Sequence, residues 1–331
     1  MMNMSRRFAP AVVAALAALL CLPAPQAAVA QALKYPHRPI KLIVPVPPGG
    51  GVDLLARSIG AKMAERLGVP VLIENRAGAS AAIGTEQLAK SAPDGYTIMM
   101  GYTVHATNAL FNPRLPYDTL KDFQPLVYVS YIPLVLVTPP ALPANSVKEL
   151  IALAKSKPGA LSYASGGAGA GAHLSGELFR YLAKVEVTHI PYKGNGPAIT
   201  DLLGGQVSML FDTITTSIQH IRAAKMKALA VTGRKRSALL PELPTMIEAG
   251  LPEFEVSGWY MMLAPAGIPR DVLDLLNSEI NVAIKDPAIG TRLASQGVEW
   301  EGGSPERAGE FLRGEMARWG KIIKETGMKA D

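Results

Sequence analysis

Ile40-Lys41-Leu42-Ile43-Val44-Pro45-Val46-Pro47-Pro48-Gly49-Gly50-Gly51-Val52-Asp53 is the stretch that decides how this chain folds. The branched run Ile40–Val46 reads as a strand buried on both faces, the kind found in a parallel sheet. Pro47 ends it. A helix then runs from about Val52 to Leu67, with Leu55, Ile59, Met63 and Leu67 four residues apart and Gly68 as its stop. A strand that ends in glycines and opens into a helix leaves backbone N–H groups unpaired at the positive end of a helix dipole. Such a turn attracts carboxylate or phosphate without a charged side chain.

The same device recurs twice. Ser165-Gly166-Gly167-Ala168-Gly169-Ala170-Gly171 follows a strand at Leu161–Ser165 and precedes a helix at Ala172–Ala183. Tyr192-Lys193-Gly194-Asn195-Gly196-Pro197 follows a strand at Val187–Ile190 and precedes a helix at Ala198–Leu203, with Pro197 at its start. Three such turns point to a pocket that grips an anion from more than one side.

Between these turns the alternation of strands and helices continues. Strands are expected at Val71–Glu74, Tyr96–Gly101, Val207–Phe211 and Lys227–Val231, and helices at Ala82–Ser91 and Ser146–Lys155. Ser146 caps the latter, with Glu149 in its first turn. This order argues for α/β architecture with parallel sheets. Two longer apolar stretches, Leu126–Thr138 and Trp259–Ala264, read as extended segments. Helices near Pro269–Ile284, Pro287–Gln296 and Pro305–Thr326 follow. The last has Phe311, Leu312, Ile322 and Ile323 on one face, which is expected to pack against the first domain.

Arg6 and Arg7, an apolar run from Phe8 to Leu22 and Ala28-Val29-Ala30 follow the order of a secretory signal peptide, residues 1–30. Cleavage after Ala32 is the alternative. The run is too short to be a good membrane span, and Leu19 and Leu20 are not the small residues that precede a lipidated cysteine. Cys21 is the single cysteine, so a chain cut after Ala30 has no disulfide and is held by its core alone. Losing Arg6 and Arg7 lowers the formal charge from +6 to about +4. That mild balance collects small anions and argues against nucleic acid as a partner.

The motifs of common enzyme classes are missing: no G-x-S-x-G, H-E-x-x-H, C-x-x-C or G-x-x-x-x-G-K-[ST] occurs. The five histidines are scattered, so no metal and no cofactor is expected. Asp53 reads either as a cap of the first helix or as a partner for a ligand hydroxyl or ammonium. Lys193 and Arg76 lie in loops and suit a carboxylate or solvent equally. Tyr102, Tyr192 and Trp259 wall a cleft or pack in the core. Asp212 caps a helix or orients a loop. The hydroxyls of Ser80, Thr103, Ser165 and Thr213 fall at strand ends, where with the glycine turns they suit a polar, uncharged pocket.

The whole mature chain resembles the substrate-binding receptors of tripartite tricarboxylate transporters, the Bug family. The resemblance begins at Tyr35-Pro36-x-Arg38-Pro39-Ile40 and Val44-Pro45-x-Pro47-Pro48-Gly49-Gly50-x-x-Asp53. It continues through Glu74-Asn75-Arg76-x-Gly78-Ala79, Ala92-Pro93-Asp94-Gly95-Tyr96-Thr97 and Leu115-Pro116-Tyr117-Asp118. Further on come Tyr163-Ala164-Ser165 with His173-Leu174, His189-x-Pro191-Tyr192-Lys193-Gly194, Phe211-Asp212 and Pro265-Ala266-Gly267. It implies a two-lobed periplasmic binding protein, type II-like, whose lobes are mainly parallel sheets flanked by helices and joined by two extended crossings. With those crossings the lobes are expected at 33–133 plus 258–331, against 134–257.

The implied function is that of a monomeric receptor, not an enzyme. It closes on a small organic carboxylate in the periplasm and delivers it to the permease subunits of a tripartite transporter. A signalling role beside a membrane sensor, or a hydrolase or transferase using Asp53 or His173, stays open as an alternative. The resemblance places ligand contacts at Pro48, Gly49, Gly50, Gly51 and Asp53, and at Gly78, Ala79, Ser80 and Ala81. It places others at Gly166, Gly167, Gly169, Ala170 and His173, at Tyr192, Lys193 and Gly194, and at Asp212 and Thr213. Tyr102, Thr103 and Ser165 join them from the reading of the residues. Relatives often carry Ser, Thr or Asn where this chain has Ala79, Ala81, Ala168, Ala170 and Ala172. A mono- or dicarboxylate with an apolar or aromatic middle is therefore expected rather than citrate.

Overall fold

The computed structural model describes residues 34–167, 169–192, 194–294 and 297–328. The expected signal peptide, Ala168 and Lys193 lie outside the described residues.

The first half begins with β1 (Ile40–Val44), α1 (Gly51–Leu67), β2 (Val71–Asn75), α2 (Ala82–Ala89), β3 (Thr97–Tyr102) and α3 (Val104–Phe111). The crossing strand β4 spans Phe123–Thr138. The second half contains α4 (Val147–Ser156), β5 (Leu161–Ser165), α5 (Gly171–Ala183), β6 (Val187–Pro191) and α6 (Asn195–Leu203). It continues with β7 (Met209–Thr213), α7 (Ile214–Arg222) and β8 (Lys227–Val231). The chain returns along β9 (Ser257–Pro265) and ends with α8 (Arg270–Ile284), α9 (Pro287–Ala294), β10 (Glu299–Trp300) and α10 (Pro305–Thr326).

Each half holds three parallel strands in the same order, β2-β1-β3 and β6-β5-β7. The crossings run antiparallel to them. β4 pairs with β9 from Phe123 to Pro133, then with β7 and β8 from Leu134 to Thr138. One sixteen-residue strand therefore belongs to both sheets. In each parallel trio the chain leaves the central strand to one side and later returns on the other. Open α/β sheets bind ligands at that switch point, outside the carboxyl ends of the strands.

Local chemistry accounts for the elements. Val52, Leu55, Ala56, Ile59 and Met63 are the buried stripe of α1, and burial of each large apolar side chain favours folding by roughly 1.5–3 kcal/mol. Gly68 closes that helix at φ 69°. The Ser146 hydroxyl accepts from the Glu149 N–H at 3.1 Å and caps α4 as expected. Sequence periodicity did not find α3 or α7. Both are short, α7 is rich in β-branched residues, and both form because tertiary packing buries them: Val104, Ala106 and Thr107 in one, Ile214, Ser217 and Ile218 in the other. β7 sits two residues later than expected, because the turn after α6 extends through Val207 and Ser208.

α10 departs from the expectation that it packs on the first half alone. Ala308, Phe311 and Leu312 join the core of the first half. Trp319, Ile322, Ile323 and Met328 join the core of the second. α3 also reaches across: Leu110 and Phe111 pack against the second core. No helix among the described residues is long and apolar enough to cross a membrane.

Candidate binding cleft

A cavity of about 170 Å3 opens between the carboxyl ends of the two parallel trios. Five helices point their first turns into it. Val52 comes from α1, Thr103 and Val104 from α3, and Ala170, Gly171 and Ala172 from α5. Asn195 begins α6, and Thr213 precedes α7. None of these five helices has a side-chain hydrogen bond at its N-cap; α2 and α8, away from the cleft, also lack one, while α4 and α10 are capped by Ser146 and Ser304. Five sets of unpaired N–H groups and five dipole ends thus face one space. No lysine or arginine is among the described residues lining it.

Apolar groups form the rest of the wall. Ile132 and Leu134 come from β4, Phe211 from β7, and Gly258, Trp259 and Tyr260 from β9. Tyr102 and Tyr260 stand side by side in register on β3 and β9. Burial pushes both phenols up to about 12, Tyr260 with some help from its neighbour. They stay neutral donors, and neither makes a hydrogen bond among the described residues. A Cβ on Gly51 would lie 2.9 Å from the Tyr260 hydroxyl, so only glycine lets α1 begin this close to it.

The sequence placed Tyr102, Thr103, Ala170 and Thr213 at the site, and all four line this cavity. It did not single out Val52, Val104, Ile132, Leu134, Asn195, Phe211 or Tyr260. Tyr260 was findable as the neighbour of Trp259 on the opposite face of a crossing strand.

Several other candidates support the cleft without lining it. Asp53 is 2% exposed. It accepts from the Gly49 N–H and Arg57 Nε at 2.9 Å, and from Asn75 Nδ2 at 2.9 Å. Its carboxylate is fully engaged in tying the glycine turn to α1 and β2. Burial alone would raise its pKa, but these hydrogen bonds outweigh it and hold the group at about 2. A depressed carboxylate stabilises the fold above its unfolded pKa, and that contribution is lost as pH falls through the folded one. We expect Asp53→Asn to flatten the acid limb of the stability curve between pH 4 and pH 2. Denaturant titrations of both proteins at stepped pH measure this, and parallel limbs would contradict it.

His173 and His189 lie beneath the second glycine turn. The Gly169 N–H donates to His173 Nδ1 at 3.1 Å. The His173 ring stacks on His189 at 4.5 Å, and His189 stacks on Tyr163 at 4.7 Å. Ser165 Oγ is 2.7 Å from His189 Nε2. The Tyr192 hydroxyl donates to Asp201 at 2.7 Å, away from the cavity. Asp212, fully buried, accepts from Asn195 Nδ2 at 2.6 Å and from Ser217 Oγ at 2.7 Å. Arg76 pairs with Glu74.

Glycine matters for different reasons at different positions. Gly50 faces open space, while Gly167 and Gly169 have φ of 131° and 73°. A Cβ at Gly169 would meet Thr107 Oγ1 at 3.2 Å and the Phe111 ring at 3.5 Å, so α3 of the other half crowds this turn. Pro48, Gly49 and Gly194 lie in the exposed or half-buried turns flanking the helix starts.

The loop at Gly78 carries strain. Ala79, Ser80 and Ala81 all have positive φ, 46°, 49° and 71°. Left-handed backbone costs a non-glycine residue roughly 1–2 kcal/mol, and such strain gathers at functional sites. Ala81→Gly is expected to raise stability by about 0.5–1 kcal/mol, the relief exceeding glycine's entropic cost. A lower melting temperature would show that the loop is not strained.

The comparisons with known proteins agree with this geometry. A model of the tripartite tricarboxylate transporter family receptor matches residues 55–328. Protein BugT of Bordetella pertussis is 41% identical over 297 residues, covering 89% of this chain and 91% of its own. An R. palustris protein solved with adipate is 36% identical, with a TM-score of 0.79 over 89% of this chain and 99% of that one. MatC from Rhodopseudomonas palustris, solved with bound malate, is 32% identical, with a TM-score of 0.75 over 87% of this chain and 100% of that one. The fold is that of a two-lobed periplasmic binding protein, a class of solute-binding receptors and not of enzymes. This chain belongs to the tripartite tricarboxylate transporter receptor family.

Proposed function

We propose that this receptor captures a small carboxylate with an apolar middle, a dicarboxylate above all, and hands it to a tripartite permease in the periplasm. The observation that carries the reading is the convergence of five uncapped helix starts on a cavity with no basic side chain among its described lining residues. Carboxylate ends suit the N–H groups and the Tyr102 and Tyr260 hydroxyls, and a methylene middle suits Ile132, Leu134 and Phe211. The adipate seen in one relative has this shape. Residues 33–133 with 258–331 form one lobe and residues 134–257 the other. The crossings β4 and β9 flex as the lobes close, and binding shifts the population toward the closed state.

Side-by-side calorimetric titration with adipate, malate and citrate tests this. Adipate is expected to bind at least about tenfold more tightly than citrate, a difference of about 1.4 kcal/mol. Tyr260→Phe is expected to weaken adipate by about tenfold at unchanged melting temperature, since it removes one hydroxyl from the cleft. Tightest binding by citrate would overturn the apolar-middle reading. A Tyr260→Phe protein that binds like the parent would remove the phenol from the site.

A further inference from the structure

The two crossing strands have a second cavity behind them. Side chains alternate along a strand, so Ile132, Leu134, Gly258 and Tyr260 face the cleft, whereas Tyr131 and Ser257 project to the other side, and Trp259 borders both spaces. There a space of about 320 Å3, larger than the cleft itself, lies between β4, β9, the loop after β8 and α10. Its walls carry three carboxylates, and each has its own guanidinium. Glu255 pairs with Arg234 at 2.7 Å, Glu301 with Arg307, and Glu315 with Arg318 at 3.4 Å. Lys235, exposed at the rim, makes no ion pair among the described residues.

We propose that this rear cavity is a second binding site, for a small uncharged polyhydroxylated solute such as a polyol or monosaccharide. The inference goes beyond the carboxylate reading and does not depend on it. A charged ligand lodged among these pairs, away from Lys235 at the rim, would have to break one of them and leave its partner unpaired, which costs most at Glu315, the least exposed of the three carboxylates. Hydroxyls both donate and accept, so they can use the lone pairs and N–H groups that the ion pairs leave over.

A second observation points the same way. Tyr128 is 7% exposed, lines the cavity, and its hydroxyl makes no hydrogen bond among the described residues. The half-buried Ser257 hydroxyl, further along the same cavity, also makes none. A tyrosine this buried normally has its hydroxyl satisfied, and a polyol in the cavity would satisfy it. Phe311 stacks on Tyr128 at 3.9 Å and meets Trp259 edge-on at 5.6 Å, giving the cavity one apolar flank for C–H faces.

Tryptophan offers a direct readout. The chain has three. Trp259 and Trp319 both donate their indole N–H to Glu315 Oε2 at 3.2 Å, at the edge of this cavity, and Trp300 does not. The experiment is a titration of the 15N-labelled protein with D-glucose and with myo-inositol, following the three indole signals. The Trp259 and Trp319 signals are expected to move together and saturate at about 1 mM or below, with and without saturating adipate. Tyr128→Phe is expected to weaken this at least tenfold. If that variant melts early, Ser257→Ala takes its place with the same expectation. No saturable movement with either solute overturns the proposal. So does an affinity that both variants leave unchanged, or saturable movement produced by glycine betaine or an amino acid in place of the polyols. Loss of the sugar response once adipate is bound would place the sugar in the front cleft and overturn it as well.

Discussion

Asp212→Ala is expected to cost about 3 kcal/mol of folding stability and to weaken ligand binding together with it. Asp212 is fully buried at the end of β7, and its two oxygens accept from Asn195 on α6 and from Thr216 and Ser217 on α7. One carboxylate therefore fixes two of the five helix starts that face the cleft. Removing it leaves the buried Ser217 hydroxyl and the half-buried Asn195 amide without their acceptor, and hydrogen bonds to a charged group contribute roughly 1.5–3 kcal/mol each. Asn195 lines the cavity, so its release disturbs the site directly. Asp212→Asn keeps the shape but turns an amide N–H2 toward existing donors, so its effect should fall between wild type and alanine. Urea unfolding and calorimetry of both variants provide the measurements. An alanine variant within 1 kcal/mol of wild type would show that the network is dispensable.

Gly176→Ala is expected to be at least as damaging, by about 3 kcal/mol or more. Gly176 lies in the middle of α5, where that helix crosses Tyr163 of β5. A Cβ there would sit 2.1 Å from Cε2 and 2.3 Å from Cδ2 of a ring that is fully buried. The ring cannot move freely, because its hydroxyl donates to Glu177 at 2.6 Å and its face carries His189 and, beyond it, His173. The displacement would travel through that stack to the glycine turn. Tyr163→Leu in the same chain vacates the space and should recover part of the loss, a coupling that a double-mutant cycle reads. An additive pair of effects would mean that the two residues do not meet as described.

Much of the fold was legible because hydrophobic period and punctuation agree. The branched run Ile40–Val44 closed by Pro47, the stripe Leu55–Ile59–Met63 closed by Gly68, and Ser146 with Glu149 each carry two independent signals. α3 and α7 carried no clear stripe, with only Asp212 as an ambiguous cap signal for α7, and the threonines and branched residues of α7 argue against helix in isolation. Tertiary contacts override that preference. At the cleft, glycine turns and strand-end hydroxyls marked Thr103, Ala170 and Thr213. The apolar wall was hidden, because Ile132, Leu134 and Phe211 look like ordinary core in the sequence. Asp53, Asp212 and His173 read either as structural groups or, through the resemblance, as ligand contacts; in the fold Asp53 and His173 accept from the glycine turns and Asp212 ties side chains of α6 and α7 together. A buried carboxylate and a ligand-binding one look alike until their partners are seen.

The path of α10 bears on how the molecule comes into being. Trp319, Ile322 and Met328 complete a core whose other members come from residues 134–256. Chains grow from the N-terminus at roughly 5–20 residues per second, and ordinary domains fold as they emerge. Here the middle of the chain finishes synthesis long before the residues that close its core exist. Neither half can reach its final packing before α10 has been made. Until then each half of the receptor carries an unfinished core.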